Sequence, residues 1–177
     1  MSSTQKISLH EPSFGSEELR YLNQCIKSTW VSTSGEFINN FENAIAKYLG
    51  VKHAIACISG TASLHIGLLV NGVKKNDEVI VPTITFIAPI NAVRYNGAEP
   101  IFMDADNFYN IDELKTINFI EKNTIFKNGY TINKKTKKII RALVIVHTFG
   151  NPCKMNLLLG ICKERNIKII EDASESL

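Results

Sequence analysis

From Val51 onward, short unbroken apolar runs alternate with segments whose apolar residues recur at helical spacing, and this alternation restricts the fold more than any other feature of the chain. The pattern predicts a strand over 53–58, a helix over 62–70, a strand over 78–81, a helix over 87–95 and a strand over 100–103. Strands that are apolar throughout, with helices between them, suit a parallel sheet covered on both faces. The expected architecture is therefore α/β, three layers deep, with a mostly parallel sheet.

Upstream, residues 1–15 read as an extended arm. Ser16 is expected to cap a helix with Glu17 and Glu18 in its first turn, ending near Ser28. The loop 30–35, WVSTSG, carries the only tryptophan and the hydroxyls of Ser32, Thr33 and Ser34, which suit a polar ligand or a helix cap. Ser34 stands where an N-cap belongs, ahead of an amphipathic stripe of Phe37, Ile38, Phe41, Ile45 and Tyr48 that Gly50 closes. Downstream, 104–138 is less regular. It holds a helical pattern over 112–120 and a hairpin signal around Asn128-Gly129 and 133–138. Alternation then resumes with a strand over 142–146, a Gly150-Asn151-Pro152 turn, a helix over 155–165 and a strand over 167–170 that runs into Glu171-Asp172-Ala173. The domain reading is an N-terminal arm with helices over 1–50, then a larger α/β part over 51–177.

Composition narrows the function classes. With 177 residues, 45% of them hydrophobic, the chain can bury one sizeable core. The net charge of +3 is spread except at Lys134, Lys135, Lys137 and Lys138, where no aromatic platform accompanies the basic cluster, so a solvated loop tip is favoured over a nucleic-acid partner. Cys25, Cys57, Cys153 and Cys162 sit in apolar segments without metal-ligand spacing and read as reduced core thiols. No apolar run reaches the roughly 18 residues a membrane span requires, so a cytoplasmic protein with no membrane partner is expected.

In open α/β sheets ligands bind beyond the carboxyl ends of the strands. Four such places are candidates: 59–62, 83–86, 147–150 and 171–175. The first, in CISGTASLHIGLL, is a Ser-Gly-Thr turn entering a helix, where unpartnered N–H groups and the helix dipole suit a phosphate. Gly60 permits close backbone approach, Thr61 adds a hydroxyl and Ala62 keeps the mouth open, although a plain strand-to-helix turn would carry the same residues. The last supplies carboxylates, and Glu171 and Asp172, being neighbours on a strand, must face opposite sides. His147 reads as a satisfied structural histidine, and His53 and His65 as ordinary fold positions.

The runs WVSTSGEFINNFENAIAKYLGVKHAIACISGTASLHIGLL, VIVPTITFIAPINAVRYNGAEPIFMD, VHTFGNP and IKIIEDASESL together resemble the large-domain half of the DegT/DnrJ/EryC1/StrS family of pyridoxal-phosphate-dependent sugar aminotransferases. The resemblance implies a fold-type-I large domain, incomplete at its C-terminus, with pyridoxal 5'-phosphate as cofactor. It places Thr61 and Ala62, beside Gly60, at the cofactor phosphate, Phe86 against the pyridine ring and Asp172 at the ring nitrogen. Glu175 falls near the cofactor's phenolic oxygen, where a surface helix cap would use the same residue, and Ser32, Thr33 and Ser34 fall on the substrate side. It further implies a homodimer and an amino-acid donor, glutamate in most relatives. The acceptor it implies is a nucleotide-linked 4-keto-6-deoxy sugar, with the look of the legionaminic acid, bacillosamine and perosamine enzymes that serve polysaccharide biosynthesis.

In the family the lysine that forms the Schiff base lies beyond the EDAS motif, and no lysine here occupies a matching position. No catalytic residue is therefore assigned, the later strands and the C-terminal small domain are absent, and the 177 residues alone are expected to be inactive. Two other readings stay open. Asp104-Ala105-Asp106 at a strand end could serve a Mg²⁺-dependent nucleotide-sugar transferase or phosphatase, although a solvent-exposed loop entry is the favoured account of that pair. The chain could also be a non-catalytic cofactor-binding fragment.

Overall fold

The computed structural model describes residues 11–176 of the chain, which divide between Ala56 and Cys57 into two compact units. The first ten residues of the expected arm lie outside the described residues.

The first unit is helical. In α1 (Ser16–Ser28) the N-cap is Gly15, not Ser16: Glu18 reaches back and its carboxylate accepts the Gly15 N–H at 2.7 Å. The backbone donors of Glu18 and Gly15 hold that carboxyl below its ordinary value. In α2 (Glu36–Leu49) the cap is Gly35 rather than Ser34. Extended backbone at Gly35 lets its carbonyl accept from Ile38 at 3.1 Å, whereas Ser34 is exposed and makes no cap bond. Tyr21 and Phe37 join the two helices edge to face at 5.3 Å.

A strand over 53–58 does not form. The segment is irregular, with Ile55 78% and Ile58 98% exposed. An extended segment becomes a strand only when a neighbouring strand takes its N–H and C=O groups, and among the described residues none does; the Ala56 N–H goes instead to the Glu42 carboxylate at 2.8 Å.

The second unit holds the sheet. Strands β1 (Glu78–Pro82), β2 (Glu99–Met103), β5 (Ile139–Val146) and β6 (Lys168–Asp172) run parallel in the order β2-β1-β5-β6. Strands β3 (Thr124–Lys127) and β4 (Tyr130–Asn133) form an antiparallel hairpin, and β4 pairs with the first residues of β5. Alternate residues of each strand feed two separate cores. Val79, Val81, Ala142 and Val144 pack with Leu64 and Leu68 of α3 (Gly60–Val70) and with Ala92 and Val93 of α4 (Ala88–Tyr95). Ile80, Leu143 and Ile145 pack with Ile120 of α5 (Glu113–Asn123) and with Leu158 and Cys162 of α6 (Asn156–Glu164). The expected three-layer α/β/α arrangement is the observed one, because a period of two through an apolar strand needs a helix on each side.

The connection from β1 through α4 reaches β2 on one flank, while that from β5 through α6 reaches β6 on the other. The gap between β1 and β5 is thus a topological switch point, where a crevice opens beyond the strand ends.

Candidate functional site

A cleft of about 510 Å³ occupies that crevice. It is lined by Gly60 and Thr61 from the start of α3, Thr85 and Phe86 after β1, Thr148 and Phe149 after β5, and Asp172, Ser174 and Glu175 at the end of β6. All four strand-end places singled out in the sequence meet here. Its volume lies in the range that accommodates a cofactor or other small molecule.

The wall at α3 is built by a serine cap. Ser59 is extended, and its hydroxyl accepts the Ala62 N–H at 3.2 Å while its carbonyl accepts the Ser63 N–H at 3.0 Å. Ala62 therefore spends its donor on the cap and stands behind the wall instead of forming it. The N–H groups of Gly60 and Thr61 are left as the donors of the first turn, at the positive end of the helix dipole. α3 lies along β6, where a Cβ on Gly67 would stand at ordinary contact distance, 3.7 Å, from Ile170. The same approach brings Gly60 beside Ser174.

The opposite wall follows from strand parity. Ile170 belongs to the α3/α4 core and Ile169 to the α5/α6 core, so Asp172 projects on the α3 side and Glu171 on the other. Asp172 Oδ1 accepts the Ser174 hydroxyl at 2.6 Å and the Ser174 N–H at 3.2 Å. Glu171 Oε1 lies 2.7 Å from His147 Nε2, and His147 Nδ1 accepts the Cys153 N–H at 3.1 Å. That second bond leaves the ring proton on Nε2, which donates it to Glu171. His147 is accordingly satisfied at both nitrogens. Burial, reinforced by Asp106, Glu113 and Glu171, pushes the neighbouring Cys153 thiol up to about 11 and keeps it neutral.

Glu175 lines the cleft, yet its Oε2 accepts the Phe149 N–H at 2.8 Å. This bond braces a turn in which Phe149 adopts a left-handed φ of 53° and Gly150 follows at 76°. Gly150 is required there, because a Cβ would come within 2.9 Å of the Glu175 carbonyl oxygen. Phe86 offers its ring to the opening at 80% exposure. Thr85 and Thr148 carry buried hydroxyls without a hydrogen-bond partner among the described residues. These two residues and Ser174 were given no role by sequence reasoning; their position at strand ends was the available signal.

Ser32, Thr33 and Ser34 lie exposed in the first unit, between α1 and α2, whereas the cleft is made wholly by the second. The aspartates of the metal reading are otherwise engaged. Asp104 Oδ2 pairs with Lys115 Nζ at 2.7 Å, which pushes the Lys115 ammonium up, and Asp106 Oδ1 accepts from the Phe108 and Asn110 N–H groups at 2.8 and 3.0 Å. Among the described residues no group of three or more His, Cys, Asp or Glu side chains could hold a metal ion.

A GDP-perosamine synthase of Escherichia coli O157:H7 is 39% identical over 170 residues, which are 96% of this chain and 43% of that protein. The X-ray structure of an aminotransferase from Psychrobacter cryohalolentis superposes with a TM-score of 0.79 at 29% identity, over 94% of this chain and 38% of the other. A Bacillus subtilis structure, ntda with bound cofactor PMP, gives 0.77 at 27% identity over 99% and 39% of the respective chains. The chain thus spans less than half the length of the proteins it matches. The model of the DegT/DnrJ/EryC1/StrS aminotransferase family matches residues 12–177, and the chain belongs to that family.

Proposed function

We propose that these residues form the cofactor-binding part of a pyridoxal-phosphate-dependent aminotransferase that aminates a nucleotide-linked 4-keto-6-deoxy sugar. The observation that carries this reading is the meeting, in one cleft, of the Asp172 carboxylate and a helix N-terminus whose Gly60 and Thr61 N–H groups are left over by the Ser59 cap. One end of the cleft favours an anion and the other a cation. A phosphorylated pyridine protonated on its nitrogen carries both charges on one small rigid frame, so the residues present fit the group.

When bound, this cofactor supplies an electron sink for the pair released at the substrate carbon. The chain's own contributions are distinct. Gly60 and Thr61 hold the phosphate through backbone N–H groups and the Thr61 hydroxyl, and Phe86 covers one face of the ring, a contact worth about 1 kcal/mol. Asp172 holds the proton on the ring nitrogen. Glu175, in bracing Phe149, shapes the wall near the phenolic oxygen. Ser32, Thr33 and Ser34 serve the substrate side, and Ala62 seats the first turn of α3.

Among the described residues no lysine lines the cleft, so these 177 residues bind the cofactor but do not turn over. In the complete protein we propose a homodimer acting in the cytoplasm, with glutamate as amino donor. Relatedness to a GDP-perosamine synthase favours a sugar of that type and a role in polysaccharide biosynthesis.

Calorimetric titration of the chain with pyridoxal 5'-phosphate tests the reading. Binding should weaken about tenfold or more in Asp172→Asn, since a half-buried carboxylate beside a protonated ring nitrogen is worth on the order of one pKa unit or more. Equal affinity of the wild-type chain and Asp172→Asn, with both no tighter than for inorganic phosphate, would refute it.

A further inference from the structure

Asp172 ends β6, and beyond the strand nothing in the ladder holds its side chain in one orientation. Two bonds from Ser174 do so instead. The hydroxyl donates at 2.6 Å and the amide at 3.2 Å, both to Oδ1, while Oδ2 accepts no hydrogen bond among the described residues. A carboxylate held twice at one oxygen has its rotation about Cβ–Cγ stopped, and the other oxygen becomes the one available to a ligand.

Ser174 stands beside the start of α3: a Cβ on Gly60 would lie at ordinary contact distance, 3.5 Å, from Ser174 Oγ. The serine that turns the carboxylate therefore borders the helix N-terminus at the other end of the cleft.

We propose that Ser174 is a positioning residue, which turns Asp172 so that Oδ2 alone faces the ring nitrogen of a phosphorylated pyridine lying across the cleft. The proposal rests on the reading of Asp172 given above. Ser174 acts through the carboxylate, to which its hydroxyl proton is already committed. A donor is needed at this position, so threonine substitutes and alanine does not.

The test compares wild type, Ser174→Ala and Ser174→Thr in titrations with pyridoxal 5'-phosphate and with its 1-deaza analogue, which lacks the ring nitrogen. Ser174→Ala should weaken binding of the phosphate ester about tenfold, as loss of one charge-assisted hydrogen bond implies, and leave the analogue unchanged. Ser174→Thr should restore the difference. An equal loss for both ligands would mean that Ser174 merely supports the fold, and no loss would mean that it orients nothing; either result overturns the proposal. A wild-type chain that binds both ligands equally would instead sink the role given to Asp172. In that event the ligand-free chain still decides about Ser174. NMR couplings should show one Asp172 side-chain rotamer in wild type and an averaged set in Ser174→Ala, and a single rotamer in both would overturn the positioning role.

Discussion

Thr148 is 6% exposed, and its hydroxyl has no partner among the described residues although the residue borders the cleft. A buried hydroxyl left unbonded costs on the order of 1 to 3 kcal/mol, so the ligand-free protein carries a local penalty at this position. Thr148→Val keeps the shape and removes the polar atom. It should raise the stability of the ligand-free chain by about 1 kcal/mol, read as a higher midpoint in thermal or urea unfolding. A fall in the midpoint would show that the hydroxyl already has a partner. The same consideration explains what single residues could and could not disclose beforehand. Asp172 and Thr61 are legible as cleft-lining residues, because residue type at a strand end or helix start points to them. Ser174, Thr85 and Thr148 are not, since a hydroxyl gains a meaning only from the atom opposite it. Ala62 stands one step behind the cleft wall, and nothing in the sequence says that its amide goes to Ser59.

At the level of elements, the signals that survived were local ones. The Asn128-Gly129 hairpin is carried by turn chemistry: φ is 53° at Asn128 and 78° at Gly129, the pair of left-handed residues that a two-residue hairpin turn demands. Gly129→Ala would meet no neighbouring atom, so its cost is backbone strain alone, about 1 kcal/mol. Hydrogen exchange should then quicken at the β3–β4 amides and stay unchanged in β1; equal quickening in both would show that the hairpin and the parallel strands open together. The parallel strands were legible from their apolar runs, and the helices from periodicity and closing residues. The segment 53–58 was misread because an apolar run states only that burial is favourable, while a strand also needs a neighbouring backbone. The two shifted caps have a similar origin. Ser16 and Ser34 have the right side chains, but Gly15 and Gly35 have the extended backbone, and the carboxylate of Glu18 supplies the capping bond at α1.

Considered as a whole, the molecule hides two of its thiols in the α5/α6 core. Burial pushes Cys162 up to about 12 and Cys153 to about 11, against 9.0 in an exposed chain. Between pH 9 and 11 the unfolded chain therefore releases these protons while the folded chain keeps them, and stability falls as pH rises, by up to about 1.4 kcal/mol per pH unit for each thiol. A Cys153→Ala/Cys162→Ala variant should be less stable at pH 7, having lost packing, yet its unfolding midpoint should decline less between pH 8.5 and 10.5. Parallel declines would place the alkaline sensitivity elsewhere. The sheet holds a further consequence. Strand β5 takes two partners in tandem on one flank: β4 pairs at Ile139 and Ile140, and β6 begins at Ala142 with Lys168. Only Arg141 separates them, and it is anchored to Asp77 at 3.0 Å. An inserted residue that extended β4 along this flank would evict Lys168 and carry the acidic end of β6 out of reach of the crevice. The Asn128-Gly129 tip lies on this β6 side, where the Asn166 amide donates to the Gly129 carbonyl at 2.8 Å, so length can be added without crowding β6 only at the other end of β4, in the 134–138 connection to β5, and diversity among related chains in this region should accumulate there.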